Sequence, residues 1–227
     1  MHPLSRQGEI LMTELYAVLT GDLVKSSKLG PLELDAVRKT LFEAADEMRT
    51  WQAGLIVGSP EFFRGDAWQL LMSDPGMFLR VALYLRAALR RQKGWDTRIS
   101  IGLGGVQQID ERQISLSIGS SFTLSGHGLD DMGSAPGFRF HAEEQLAPRT
   151  GWVQPLLDLC GALVGRLKPG QSATICEVLR PDTPTQREIA TRLGISQQGV
   201  SDALLSAGWS AIDTTLDYVE SLKWGAP

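Results

Sequence analysis

The sequence predicts an α+β protein: an α/β sandwich followed by an all-helical unit. Two patterns carry that prediction. Up to about residue 148, short apolar runs alternate with helix-spaced ones in the order strand, helix, hairpin, helix, strand, helix. From Trp152 onward every apolar pattern is helical. The size agrees, since 227 residues with 43% hydrophobic and 21% charged side chains is an ordinary globular composition.

The polar stretch 1–13, with Pro3, reads as a flexible N-terminus. Tyr16-Ala17-Val18-Leu19-Thr20 is a short apolar strand expected to stop at Gly21-Asp22. After the Gly30-Pro31 break, Leu34, Val37, Leu41, Ala44, Ala45 and Met48 recur at helical spacing. Two strand-like runs follow, GLIVG and EFFRGDAWQLLM. Gly58-Ser59-Pro60 punctuates the first and Gly65-Asp66 turns inside the second. Met77 to Arg91 is a helix with a basic last turn and Gly94 just beyond it. RISIGLGGV reads as a strand, Ser115 to Ile118 as a short one, and Thr123 to Asp131 as a helix. This order predicts helices on one face of a sheet. Pro148 marks the expected boundary between a domain at 14–148 and a second at 149–227. Beyond it, Val153, Leu156, Leu157, Cys160, Leu163 and Val164 mark one helix, which Lys168-Pro169-Gly170 stops. Thr174 to Leu179 marks another.

Several classes are excluded or disfavoured. No apolar run reaches the roughly 18 residues that span a bilayer. The N-terminus lacks a charged-then-apolar signal pattern, so a cytoplasmic protein is expected. Cys160 and Cys176 lie in apolar periodic stretches and read as reduced core thiols. Lys plus Arg number 22 against 26 Asp plus Glu, a net charge of −4, which argues against coating nucleic acid by bulk charge.

The sharpest local pattern runs from Gln186 to Ser201. Ala190 allows two helices to cross closely, Gly194 takes a left-handed turn, and Ile189, Leu193, Ile195 and Val200 fill the shared core. Thr185 and Ser196 are the expected caps. This spacing resembles the helix-turn-helix of bacterial transcriptional regulators and sigma-factor-like domains. The resemblance implies DNA contacts from Ser196, Gln197, Gln198 and Ser201 at the start of the second helix, with phosphate contacts from Arg187 and Arg192. Residues 151–227 carry six basic and eight acidic side chains, so a helix-turn-helix used for protein interaction stays open. Ile212, Leu216, Val219 and Leu222 line one side of a last helix, either packed internally or forming a homodimer seam.

In the N-terminal unit, Gly21-Asp22 and Gly65-Asp66 are the notable pairs. If their strands are neighbours, Asp22 and Asp66 converge, and paired carboxylates suit a hard cation such as Mg²⁺. Capping of turns is the alternative. Gly21, Lys25 and Ser26, with Arg64 and Arg98, are candidates to hold a phosphate.

TGDLVKSS, FRGDAWQLLM, RISIGLGGV and SIGSSFTLSGHGLDDM resemble the SatD family over most of residues 14–132. More distantly, their order is similar to the ferredoxin-like palm core of class III nucleotidyl cyclases and diguanylate cyclases. That resemblance implies a two-metal site at Asp22 and Asp66. The pattern departs from the adenylyl-type cyclases at Phe62 and Leu116, which stand at purine-selecting positions. It departs again at Thr123 and His127, which replace a ribose-positioning Asn and a transition-state Arg. Those departures predict no cyclase activity and leave no catalytic residues to assign. The expected function is therefore a dimeric DNA-binding regulator with a degenerate cyclase-like domain that binds a nucleotide or phosphorylated small molecule. A metal-dependent nucleotidyl or phosphoester enzyme and a protein-interaction scaffold are the alternatives.

Overall fold

A computed structural model describes residues 14–63 and 65–224. The expected flexible segment 1–13 and Arg64 lie outside the described residues. The chain is mixed α/β, with strands β1 (Leu15–Leu23), β2 (Ile56–Phe63), β3 (Ala67–Met72), β4 (Thr97–Gln108), β5 (Ile118–Gly119) and β6 (Phe138–Ala142). They form one sheet in the order β2-β3-β1-β4-β5. β6 pairs in parallel with the first part of β4, and every other pairing is antiparallel. β6 was not among the expected strands.

β1 runs past Gly21-Asp22, where it was expected to stop. Asp22 still pairs with Arg98 and Leu23 with Thr97 on β4. Gly58-Ser59-Pro60 is an irregularity within β2, while Gly65-Asp66 makes the expected turn between β2 and β3.

Strand alternation sorts the side chains onto two faces. Ala17, Leu19, Trp68, Leu70, Ile99, Ile101 and Leu103 face the large core. It is shared with α1 (Pro31–Trp51) and α2 (Phe78–Lys93). α1 buries Val37, Leu41, Ala44, Ala45 and Met48 of the expected stripe. The opposite face carries Val18, Thr20, Asp22, Leu71, Gln69 and Ser100, and α3 (Ser120–Asp130) lies across it. The expectation of helices on one face is therefore corrected. Small residues allow α3 to approach this closely: a Cβ on Gly102 would sit 2.1 Å from the Ser121 carbonyl oxygen, and one on Gly128 would sit 2.2 Å from the Ser100 hydroxyl.

The rest is helical: α4 (Ala147–Thr150), α5 (Val153–Gly165), α6 (Pro169–Val178), α7 (Gln186–Leu193), α8 (Gln197–Ala207) and α9 (Trp209–Ser221). The expected boundary at Pro148 falls inside α4, and Pro169 opens α6 instead of closing α5, as its fixed φ suits a first helical turn. One continuous apolar core extends from the sheet through Val164, Ile189 and Val200 to Val219.

Three arginines on α2 fasten the C-terminal helices to the sheet unit. Arg86 forks onto Asp96, with Nε–Oδ1 at 2.7 Å and Nη2–Oδ2 at 3.0 Å, and its Nη1 donates to the Gly161 carbonyl at 2.7 Å. Arg90 joins Asp96 to the Leu167 carbonyl, and Arg80 joins Glu220 to the Leu179 carbonyl. Gly161 and Gly165 make room for this: a Cβ on Gly165 would lie 2.7 Å from Arg86 Nη2. Among the described residues no helix is long and apolar enough to cross a membrane.

Arg86→Ala leaves Asp96 with one guanidinium in a buried site and is expected to cost about 3–5 kcal/mol. A lowered urea midpoint with an unchanged m-value checks it. Burial pushes the Cys160 thiol up to about 11 and the Cys176 thiol up to about 12. Both thiols are therefore protonated at neutral pH and expected to resist a thiol reagent in the native protein, and to react together once it is unfolded.

Candidate functional site

Two surfaces gather the candidate residues. The first is a cleft of about 580 Å³ on the sheet face that α3 covers only in part. Thr20, Asp22, Gln69 and Arg98 line it from the strands, Phe63 and Asp66 from the β2–β3 hairpin, Ser115 from the loop before β5, and Leu129 and Asp130 from α3. Asp22 and Asp66 thus reach one cleft, as the neighbouring of β1 and β3 requires.

Their chemistry differs from the expectation. Arg98 Nε donates to Asp22 Oδ1 at 2.6 Å, and its Nη2 donates to Asp22 Oδ2. Arg98 Nη1 donates to the carbonyls of Met132, at 2.9 Å, and Gly133, at 2.6 Å. Hydrogen bonding to Asp22 raises the Arg98 pKa further, against the opposing effect of burial, and Asp66 adds to the rise. Both Asp22 oxygens therefore accept from one guanidinium. Among the described residues no group of three His, Cys, Asp or Glu is placed to hold a metal. A Mg²⁺ ion shared between Asp22 and Asp66 would have to compete with Arg98 for the Asp22 carboxylate. Arg98 in turn holds the end of α3 against the sheet and has little capacity left for phosphate.

The cleft floor is a directed hydrogen-bond chain. Gln69 Nε2 donates to Thr20 Oγ1 at 2.9 Å, and Thr20 and Ser125 share a 2.8 Å bond. Because Ser125 spends its proton on the Phe122 carbonyl, Thr20 is the donor to Ser125.

The other phosphate candidates are dispersed. Gly21 points to the opposite sheet face, where Trp68 lies across it; a Cβ there would be 2.5 Å from the indole. Lys25 is exposed at φ 60°, with Ser26 beginning a short 3₁₀ turn, and neither lines the cleft. Arg64 lies outside the described residues. Thr20, Gln69, Ser115 and Asp130 were not singled out from the sequence. Period-two alternation from Asp22 puts Thr20 on its face, but Gln69 needed the β1–β3 register and Asp130 the placement of α3.

The second surface is formed by α7 and α8. Thr185 caps α7: its hydroxyl accepts from Glu188 N, and Glu188 Oε2 accepts from Thr185 N at 2.7 Å. The same contacts lower the Glu188 pKa, with the Thr185 hydroxyl the larger cause. Gly194 closes α7 at φ 65°, and Ser196 caps α8 by accepting from Gly199 N at 3.0 Å. Ile189, Ala190, Val200, Ala203 and Ala207 are buried between the helices and the core. Arg187, Gln197 and Gln198 are exposed and Ser201 half-buried. Besides Ser196, two further candidates are engaged: Arg192 Nη1 donates to Glu177 at 3.1 Å, and Gln198 Nε2 to Asp202 at 2.8 Å. In α9 the suggested dimer stripe is internal, because Ile212, Leu216 and Val219 are fully buried within the chain.

No protein-family model and no curated protein matches the sequence. Among solved structures, the guanylyl cyclase Cya2 is similar over 51% of this chain and 69% of that one, at 21% identity and a TM-score of 0.35. At that level the chain's own geometry carries the argument.

Gly21→Ala drives a methyl group into Trp68 and the Arg98 carbonyl and is expected to cost about 1–3 kcal/mol, read from thermal or urea unfolding. Millimolar Mg²⁺ is expected to leave the melting temperature of the wild type unchanged. Arg98→Ala, which releases Asp22, is expected to introduce a Mg²⁺-dependent rise.

Proposed function

We propose that this chain is a DNA-binding regulator whose sheet cleft takes a small polar ligand. The reading rests on one observation: α8 buries Val200, Ala203 and Ala207 while its first turn presents Gln197 and Gln198 to solvent after a tight left-handed turn. That is the disposition a helix needs to place amide side chains against base edges in a major groove. Arg187 supplies local charge, and Arg192 does so when it leaves Glu177. The acid-rich composition then confines DNA contact to a small area.

For the cleft, the Asp66 and Asp130 carboxylates are not engaged by another described side chain, and they stand beside the internally bonded polar floor of Thr20 and Gln69. These suit the base and sugar edges of a nucleoside-type ligand better than its phosphates, since Arg98 is committed to Asp22. The same commitment weighs against the alternative of metal-dependent nucleotidyl transfer.

Selection from random duplex DNA is expected to enrich one motif, and Gln197→Ala with Gln198→Ala to weaken that site by tenfold or more, from about 1–3 kcal/mol per bidentate contact. Arg187→Ala is expected to flatten the salt dependence of binding by about one unit in the log–log slope. No enriched motif, with or without nucleosides present, overturns the reading and leaves α7–α8 as a protein-docking surface.

A further inference from the structure

A larger concavity lies elsewhere, a groove of about 830 Å³ between α5, the start of β6 and α9. Its lining is mostly apolar, and the residues of α5 set its character. The inward side of α5 is used up: Val153, Leu157, Cys160 and Val164 are buried in the core. Its outward side shows Pro155, Asp158, Leu159 and Ala162, continued by Arg166 at the C-cap, and these recur at three- and four-residue intervals to make one stripe. Leu159 is 70% exposed and itself borders the apolar groove. A protruding leucine and an empty apolar recess on one patch are the two halves of a self-complementary surface, as a two-fold interface demands.

Charge points to the same occupant. Asp158 lies four positions before Ala162 and Arg166 four positions after it, so one helix face carries opposite charges symmetrically about a small residue. Along the helix that separation is about 12 Å, from 1.5 Å of rise per residue. Among the described residues Arg166 makes no side-chain hydrogen bond or ion pair, and Asp158 accepts only from Gln154 of the same helix, at 2.7 Å. Two α5 helices laid antiparallel with Ala162 at the axis bring Asp158 of each copy to Arg166 of the other. Leu159 of each then falls opposite Gly165 of the other, where no side chain stands between it and the groove. Ala162 at the crossing point permits an interaxial distance at the short end of the usual range of about 8–10 Å.

We infer that α5 is the interface of a symmetric dimer of this chain, closed by reciprocal Asp158–Arg166 pairs and by Leu159 seated in the apolar groove of the second copy. The dimer stands independently of the DNA reading, although it doubles a small DNA contact where both hold. It also replaces the seam suggested on α9, whose apolar stripe is spent inside the chain.

Sedimentation equilibrium of the full chain tests this directly. The expected mass is twice that of the 24.8 kDa chain. Leu159→Glu is expected to raise the dimer dissociation constant by more than about tenfold. Asp158→Arg and Arg166→Glu are each expected to weaken the dimer, and the two substitutions together to restore it, because the reciprocal pair is re-formed with reversed sign. Unchanged circular dichroism and melting temperature in each variant separate loss of association from loss of fold. With the native cysteines buried, Ala162→Cys is expected to give a disulfide-linked dimer on mild oxidation, while Leu32→Cys, at an exposed position of α1, is not. A monomer at every concentration overturns the proposal. So does a dimer indifferent to Leu159→Glu, a double variant that fails to restore association, or a wild-type monomer whose groove is filled by an apolar small molecule.

Discussion

The architecture depends on a buried guanidinium. Arg86, 2% exposed, meets Asp96 with two parallel hydrogen bonds and donates a third to the Gly161 carbonyl. A charge so far from water is tolerated only where its donors are met, and α5 meets them by offering a carbonyl beside two glycines. The consequence is geometric. α2 is packed on the sheet through its apolar face, so whatever Arg86, Arg90 and Arg80 hold is fixed relative to the sheet. What they hold is α5, the segment before α6, the end of α6 and α9. α5, α6 and α9 are thereby tied to α2 and share one continuous apolar core with the sheet.

A second ion pair governs the other sheet face. Asp22 and Arg98 stand opposite each other on β1 and β4, and Arg98 extends to the two carbonyls after α3. One arginine therefore neutralises a carboxylate suited to metal binding and anchors the helix that walls the cleft. These two roles are linked: the group that would free Asp22 for a cation would also loosen the end of α3. The cleft is left with hydroxyl and amide groups on its floor and carboxylates at its edge, a lining that reads neutral polar edges better than phosphate.

Outside the core, α5 and α8 share a design. Each buries one stripe and turns another, chemically different stripe to solvent. On α8 that stripe is polar over its first turns, at Gln197, Gln198 and Asp202, and ends on the exposed Leu205; on α5 it is apolar at the centre with a charge of each sign on either side. The net charge of −4 acquires a location in this light. Neither surface is basic as a whole, so recognition on either one relies on local pairing.

The features legible in the sequence were those decided within a few residues. The helical spacing of α1, the αL glycine and the caps at Thr185 and Ser196, and the turn at Gly65-Asp66 all appear where the local pattern places them. Each follows from backbone conformation and short-range hydrogen bonding, which neighbouring residues determine. The face chosen by α3, the pairing of β6 with β4, the capture of Asp22 by Arg98 and the burial of Arg86 against Gly161 were decided only in the tertiary structure. They join groups separated by as many as 105 positions, and the identity of a carboxylate does not reveal whether its counter-ion will be a metal or an arginine. The sequence by itself thus determined which side chains could carry charge and turn the chain. The fold determined which of those charges were already satisfied, because that depends on strand register and helix packing.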